Sequence, residues 1–269
     1  MSLTAVDFDK LVIDTIDTVT AFDKTDGSIM FILDQIKDGT IENGSEIVYG
    51  TGKAGVRLSA FDRNKTSKFS CNNGYVVASA LASQIGADIA VASESSKFAV
   101  PHLEYIEVTD PTKVTLEFKP VGITGKEIPF IYKANSDKTQ GEKFAIAAEA
   151  SETAFKLDPA TKEITLPTSK FAKGDIVIVA YDRETTIGKR MTNSGDKFSK
   201  NAKIVIDATG CDVCDQNVKY HVIFVYGNAK IDGNFSMAFG NEPMAHAISC
   251  EAMQDVCSKD KSLWTWYVA

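Results

Sequence analysis

Strict two-residue alternation of apolar and polar positions recurs along this chain. In KVTLEF, residues 113–118, Val114, Leu116 and Phe118 share one face while Thr115 and Glu117 take the other. That is the period of a half-buried strand. The same reading predicts strands in EITL (163–166), DIVIVAY (175–181), KIVID (203–207), KYHVIFVY (219–226), NFSMAF (234–239) and LWTWYV (263–268). Their β-branched and aromatic content agrees, and the intervening Gly, Asn and Asp clusters supply turns. One segment departs from the rule: GYVVASALASQIGAD places Val77, Leu81 and Ile85 four apart, with Ala78 and Ala82 beside them and Gly86 at the end. This predicts an amphipathic helix with a glycine C-cap. PMAHAISCEAMQDVC (243–257) is a weaker helix candidate, with Pro243 at the first helical position and Ile248, Ala252 and Val256 on one face, although its first half reads equally well as a strand.

YGTGKAGVRL, residues 49–58, holds Gly50, Gly52 and Gly55 in the GxGxxG spacing of dinucleotide-binding loops. That motif has meaning only where a strand ends and a helix begins. Here Val56, Leu58 and Ala60 alternate with Arg57, Ser59 and Phe61, so a strand follows, and the acidic end of a second parallel strand is missing. The glycines are therefore expected to supply positive φ angles in a loop between two strands. The stretch before them, residues 34–55, is long, polar and glycine-punctuated, and follows the apolar run IMFIL. Of a mobile hairpin without consequence and an arm ordered by a neighbouring molecule, the arm is the preferred reading.

The middle of the chain repeats a phrase: DPTKVTLEF at 110 and DPATKEITLPT at 158, each a turn signal feeding a strand. Strand pairs at intervals of about ten residues point to a small β-sandwich inserted into a host domain. The expected fold is mainly β, a β-sandwich or barrel with one or two α-helices. Its host domain is discontinuous, 1–105 with 195–269, and the inserted β-sandwich-like domain takes 106–194.

Charge and composition narrow the function. The formal net charge is −7, and the basic residues are scattered, which argues against a chain that adheres to nucleic acid. MSLTAVDFDK carries no targeting pattern, and no run approaches the roughly 18 apolar residues of a membrane span. Cys71, Cys211, Cys214, Cys250 and Cys257 are expected as reduced thiols. The CxxC at 211–214 together with Cys250 and Cys257 is a poor match to a four-thiolate zinc site. No metal or cofactor is expected. His102 falls in an expected loop, His221 within a strand, and His246 in the ambiguous region; no HExxH, GxSxG or P-loop spacing occurs. The acidic pairs in DFD (7–9) and DKTD (23–26) read as solvated turns in an exposed leader, and Trp264 and Trp266 as core or subunit packing. No catalytic residue emerges. The profile is that of a building block that covers its sheet edges with copies of itself.

Two long phrases carry a family resemblance. KYHVIFVYGNAKIDGNFSMAFGNEP, continued by CEAMQDVCSKDKSLWTWYV, resembles the closing segment of bacteriophage tail tube (major tail) proteins. IMFILDQIKDGTIENGSEIVYGTGKAGVRLSAFDRNKTSKFSCNNGYVVASALASQIGAD resembles their opening order of strand, long loop, strand, FDRNKT strand and helix. The resemblance covers residues 28–105 and 195–269. It implies a β-sandwich or small barrel flanked by a helix, six copies to a ring, with rings stacked into a hollow tube that delivers DNA to the host. It maps an intersubunit loop onto Lys37, Asp38, Glu42, Asn43, Glu46, Gly50, Gly52 and Gly55, the glycines making the return bend. It also implies the partners: further copies of the chain, tape measure and tail-terminator or baseplate proteins, and genomic DNA passing an acidic lumen without sequence-specific binding. No membrane insertion is implied; the location is the virion tail, after synthesis in the host cytoplasm. The middle block exceeds what the simplest tube proteins carry and looks like an added outward-facing domain. The alternatives are a capsid decoration or baseplate component, or a carbohydrate-binding or hydrolytic β-sandwich.

Overall fold

The computed structural model describes residues 10–237, 239–240, 244–255 and 261–269. In chain order the first elements are β1 (Leu11–Asp23), β2 (Ile29–Leu33), β3 (Ile36–Thr51), β4 (Arg57–Asn73) and α1 (Ala78–Ile85). Then come β5 (Ala90–Val91), β6 (Phe98–Glu107), β7 (Lys113–Thr115), β8 (Pro120–Val121), β9 (Phe130–Ala134), β10 (Gln140–Ile146), β11 (Ala154–Asp158), β12 (Glu163–Thr165), β13 (Ile176–Thr185) and β14 (Lys189–Arg190). The last are β15 (Asn201–Asp212), β16 (Lys219–Ile231), β17 (His246–Ala252) and β18 (Thr265–Val268). The protein is mainly β. No helix is long and apolar enough to cross a membrane among the described residues. The chain divides into two compact units, one running to Ile89 and resuming over Met191–Ala269, the other Ala90–Arg190.

In the first unit the strands run β2-β1-β15-β16-β17-β4-β3, with β18 also on β16. The alternation seen in the sequence does its work here: in β15, Ala202, Ile204, Ile206 and Ala208 are buried while Asn201 and Lys203 are exposed. These inward residues meet Val19 and Ala21 of β1, Phe31 and Leu33 of β2, Phe69 and Cys71 of β4, Tyr226 of β16 and Ile248 and Cys250 of β17 in one core. Helix α1 adds Ala80 to that core and ends where the sequence predicts, at Gly86. Gly86 adopts φ +67, its N–H donates to Ala82 O, and a Cβ there would lie 2.0 Å from the Phe198 carbonyl oxygen. Only glycine fits both the conformation and the space.

Several expectations for this unit need correction. The N-terminal stretch is no leader over its described part: β1 pairs with β15 from Leu11 to Asp23. Of the acidic pairs, DFD lies outside the described residues. DKTD is a solvated turn, in which Asp23 accepts from the Thr25 N–H and Asp26 from the Ser28 N–H. Residues 34–55 are not a loop, because β3 occupies sixteen of them and pairs with β4. NFSMAF is not a strand over residues 234–237; Asp232 instead accepts from the backbone and side-chain amides of Asn234, turning the chain away. Over His246–Ala252 the second helix candidate is strand β17, because β4 and β16 flank it and supply the ladder bonds that override local propensity. Pro243 and Val256 lie outside the described residues.

The second unit holds a curled sheet of order β6-β13-β9-β10-β11-β12-β7, with β8 also on β13. Inward side chains from its strands, among them Val114, Ile131, Phe144, Phe155, Ile164 and Val177, form a separate core. The two repeated phrases have a structural reason. Asp110 accepts from the Thr112 N–H and hydroxyl, Asp158 accepts from the Ala160 N–H, and the strands that these turns launch, β7 and β12, pair with each other. His102 is not in a loop but in β6, which pairs with β13 from Phe98 to Glu107 and so belongs with this unit.

Candidate functional site

The feature that stands out is the β3–β4 hairpin. Its bend spans residues 52–56: the Gly52 N–H donates to Val56 O at 2.8 Å and the Gly55 N–H to Gly52 O at 3.2 Å. Gly55 sits at φ +77, a conformation that suits glycine. Gly50 lies before the bend, in β3, opposite Ser59, where a Cβ would come within 2.5 Å of the Ser59 hydroxyl. A strand follows these glycines, so no helix N-terminus is offered to a phosphate.

Only the base of the hairpin is part of the larger sheet. β17 pairs with β4 between Lys68 and Asn73, and further out the two strands have no third neighbour among the described residues. The register slips between Gly44↔Thr66 and Glu46↔Arg63. Asn64 there adopts φ +50, and its side-chain amide donates to Glu46 Oε2 at 2.6 Å. Such a bulge bends the ribbon where it leaves the sheet. From Gly44 to Thr51, seven steps of about 3.4 Å carry the arm about 24 Å outward.

The arm is bare and apolar. Ile47, Val48, Tyr49, Val56, Leu58 and Phe61 are all exposed, Leu58 at 72% and Phe61 at 56%. Val48 faces Phe61 and Tyr49 faces Ala60 across the ribbon, while the Arg57 guanidinium lies 3.9 Å over the Tyr49 ring. Between Asn43 and Thr66 the acids are Glu46 and Asp62, and the bases Lys53, Arg57, Arg63 and Lys65. This gives the arm a net positive charge on a chain whose total is −7.

The residues singled out from the sequence are distributed along this hairpin rather than gathered at its tip. Asp38, at the base, accepts from the backbone and side-chain amides of Asn72. Asn43 accepts from the Trp264 indole N–H at 3.1 Å, and Trp264 in turn packs against Phe224. Glu46 braces the bulge. Lys37 and Glu42 are exposed, Gly50 lies in the strand, and Gly52 and Gly55 make the bend. Sequence reasoning fixed on charges and missed the apolar side chains. Their signal was the run from Val56 to Phe61, which carries large apolar residues on both faces of one strand.

Elsewhere in the first unit, among the described residues, the groups of catalytic type are engaged or scattered. A cavity of about 500 Å³ beside the hairpin base is lined by Ile16, Ile36, Ile41, Phe69, Phe224 and Trp264, with Asp14, Lys37 and Asp38 as its charged lining. The Cys71 and Cys250 thiols are buried, and desolvation pushes both up to about 12. Cys211 is buried and Cys214 exposed; among the described residues no three thiols converge, and Cys257 lies outside them.

The model of the YomU/Tube protein family matches residues 11–265. No curated protein matches the chain.

Proposed function

Since this chain belongs to the YomU/Tube protein family, a type of phage structural protein with a tube-like character, we propose that it is a tail tube subunit. Its copies form hexameric rings that stack into a conduit for DNA. The observation that carries this reading is the arm. A two-stranded ribbon alone is marginally stable in water, and one with apolar side chains on both faces is stabilised by a surface that covers it. Fully burying a Leu or Phe side chain is worth about 1.5–3 kcal/mol. Leu58 and Phe61 therefore supply enough to hold a neighbouring copy when the contact is repeated around a ring. The positive arm also complements the acidic remainder of another copy.

A second feature fits the conduit. The face of β1 and β15 turned away from the core carries Asp17, Asp207 and Thr209 beside a single base on these strands, Lys203, with the Thr209 hydroxyl donating to Asp17 at 2.6 Å. An acidic, hydroxyl-bearing sheet face avoids the counterion-release adhesion that a basic lining produces. Tape measure and terminator or baseplate proteins would then meet the ends of the tube.

The test is negative-stain electron microscopy of the purified chain over a concentration series, beside a variant in which residues 45–65 are replaced by an Asn-Gly turn that keeps the Gly44↔Thr66 register. Wild-type chain is expected to give rings or hollow tubes, and the shortened chain folded monomers. Tubes of normal length from the shortened chain refute the role of the arm. Trimers or isolated rings from the wild type favour a decoration or baseplate component.

A further inference from the structure

We propose that His102, Glu104 and Glu117, in the second unit, form a binding site for a divalent transition-metal ion of the zinc type. One ligand atom from each residue lies within 4.8 Å of the other two. The convergence follows from the fold: strand alternation puts His102 and Glu104 on the same face of β6, and the segment after β7 lays Glu117 over them.

His102 and Glu104 stand at the separation that a tetrahedral zinc site requires, and Glu117 lies somewhat beyond it. Zinc bonds to nitrogen and oxygen of about 2.0–2.1 Å place tetrahedral ligand atoms about 3.3–3.4 Å apart. His102 Nε2 lies 3.3 Å from Glu104 Oε1 and 3.9 Å from Glu117 Oε2. The Glu117 side chain is 66% exposed and has room to close that gap. His102 Nε2 is itself buried and has no hydrogen-bond partner, so its closeness to Glu104 is not a satisfied hydrogen bond. A neutral buried imidazole nitrogen that lacks a hydrogen bond is costly, and a cation shared with the carboxylates 3.3 and 3.9 Å away removes that cost.

The outer shell holds the ligands still, as metal sites require. Glu104, whose side chain is nine-tenths buried, accepts from the Tyr181 hydroxyl and from the Glu117 N–H at 3.1 Å, and the Tyr181 oxygen accepts from the Phe118 N–H at 3.2 Å. Both of these bonds reach Glu104 Oε1, but the Glu117 N–H also lies 3.3 Å from Oε2, and its shift to that oxygen frees a lone pair on Oε1 for the metal. The Phe118 and Tyr181 rings stand edge-on to the imidazole at 5.1 and 5.4 Å and fix its plane. Three protein ligands leave one position for water on the side of the exposed Glu117. A bound ion would pin the segment around Glu117 to β6. The sequence expectation was of no metal, reached by a thiol search that did not extend to an HxE pair in a strand and a carboxylate thirteen positions further on.

The full chain, dialysed against chelator and titrated with Zn²⁺ by calorimetry, is expected to bind one ion at this site and to melt at a higher temperature with it. X-ray absorption at the zinc edge should show a nitrogen and oxygen shell without sulfur. Glu117→Gln, on an exposed side chain that leaves the fold intact, is expected to weaken binding at least about tenfold. His102→Gln should abolish it, and Cys214→Ser should leave it unchanged. Absence of stoichiometric Zn²⁺ binding overturns the proposal. So does a sulfur shell, a loss in Cys214→Ser, or unchanged affinity in Glu117→Gln.

Discussion

His246 is buried where β17 meets the start of α1. Its Nδ1 accepts from the Val77 N–H at 3.4 Å, its Nε2 donates to Gln84 Oε1 at 2.8 Å, and the Gln84 amide continues to Ala247 O at 3.2 Å. Burial holds the imidazole below its ordinary value, so the folded chain keeps it neutral. The unfolded chain protonates it near pH 6.5. The sign follows: the contribution of this group is fully present above about pH 6.5 and is lost as pH falls toward the lowered native value, by at most about 1.4 kcal/mol per pH unit. Urea midpoints at about pH 7.5 and about pH 5.5 should therefore differ less in His246→Gln than in the wild type. Equal acid losses in both proteins would contradict this role. The same residue shows what the sequence concealed. Nothing around His246 in the chain distinguishes a core imidazole from a ligand, because its partners, Val77 just before α1 and Gln84 on it, lie more than 160 residues away.

At the scale of elements, the arm separates two effects of alternation. In β15 it places one face in a core, whereas in β3 and β4 beyond the sheet both faces remain in solvent. The double variant Leu58→Ser, Phe61→Ser removes apolar surface that the folded monomer does not use. Its melting temperature is expected to stay within a few degrees of the wild type, while the concentration needed for assembly rises at least about tenfold, corresponding to about 1.4 kcal/mol per contact. A thermal scan at a concentration below assembly reads the first quantity, and sedimentation across a concentration series reads the second. An unchanged assembly threshold would show that these side chains are not buried between copies.

At the scale of the molecule, Ala90 and Arg190 are register partners in the β14–β5 pair, so the second unit begins and ends at adjacent positions. It also owns a separate core. Residues 90–190 expressed alone are therefore expected to fold, with a cooperative thermal transition and β-type circular dichroism. A broad, non-cooperative melt would mean that this core is insufficient by itself. A unit that leaves and returns at one point can be carried without altering the path of its host.

Local periodicity was enough to predict β7, β12, β13, β15, β16 and β18 and the helix with its Gly86 cap, since a period of two or 3.6 and a left-handed glycine are properties of short stretches, whereas β1, β6, β9, β10 and β11 were not read from it. The Asp-Pro turns before β7 and β12 were legible for the same reason. Tertiary structure alone decided the rest. It made β17 a strand by flanking it on both sides, turned the supposed loop at residues 34–55 into half of a ribbon, and drew His102 from an expected loop into β6 beside Glu104 and Glu117. Which alternating faces are covered, and which side chains from distant segments meet, depends on pairing between strands far apart in the chain, and that information is not held in any one stretch of it.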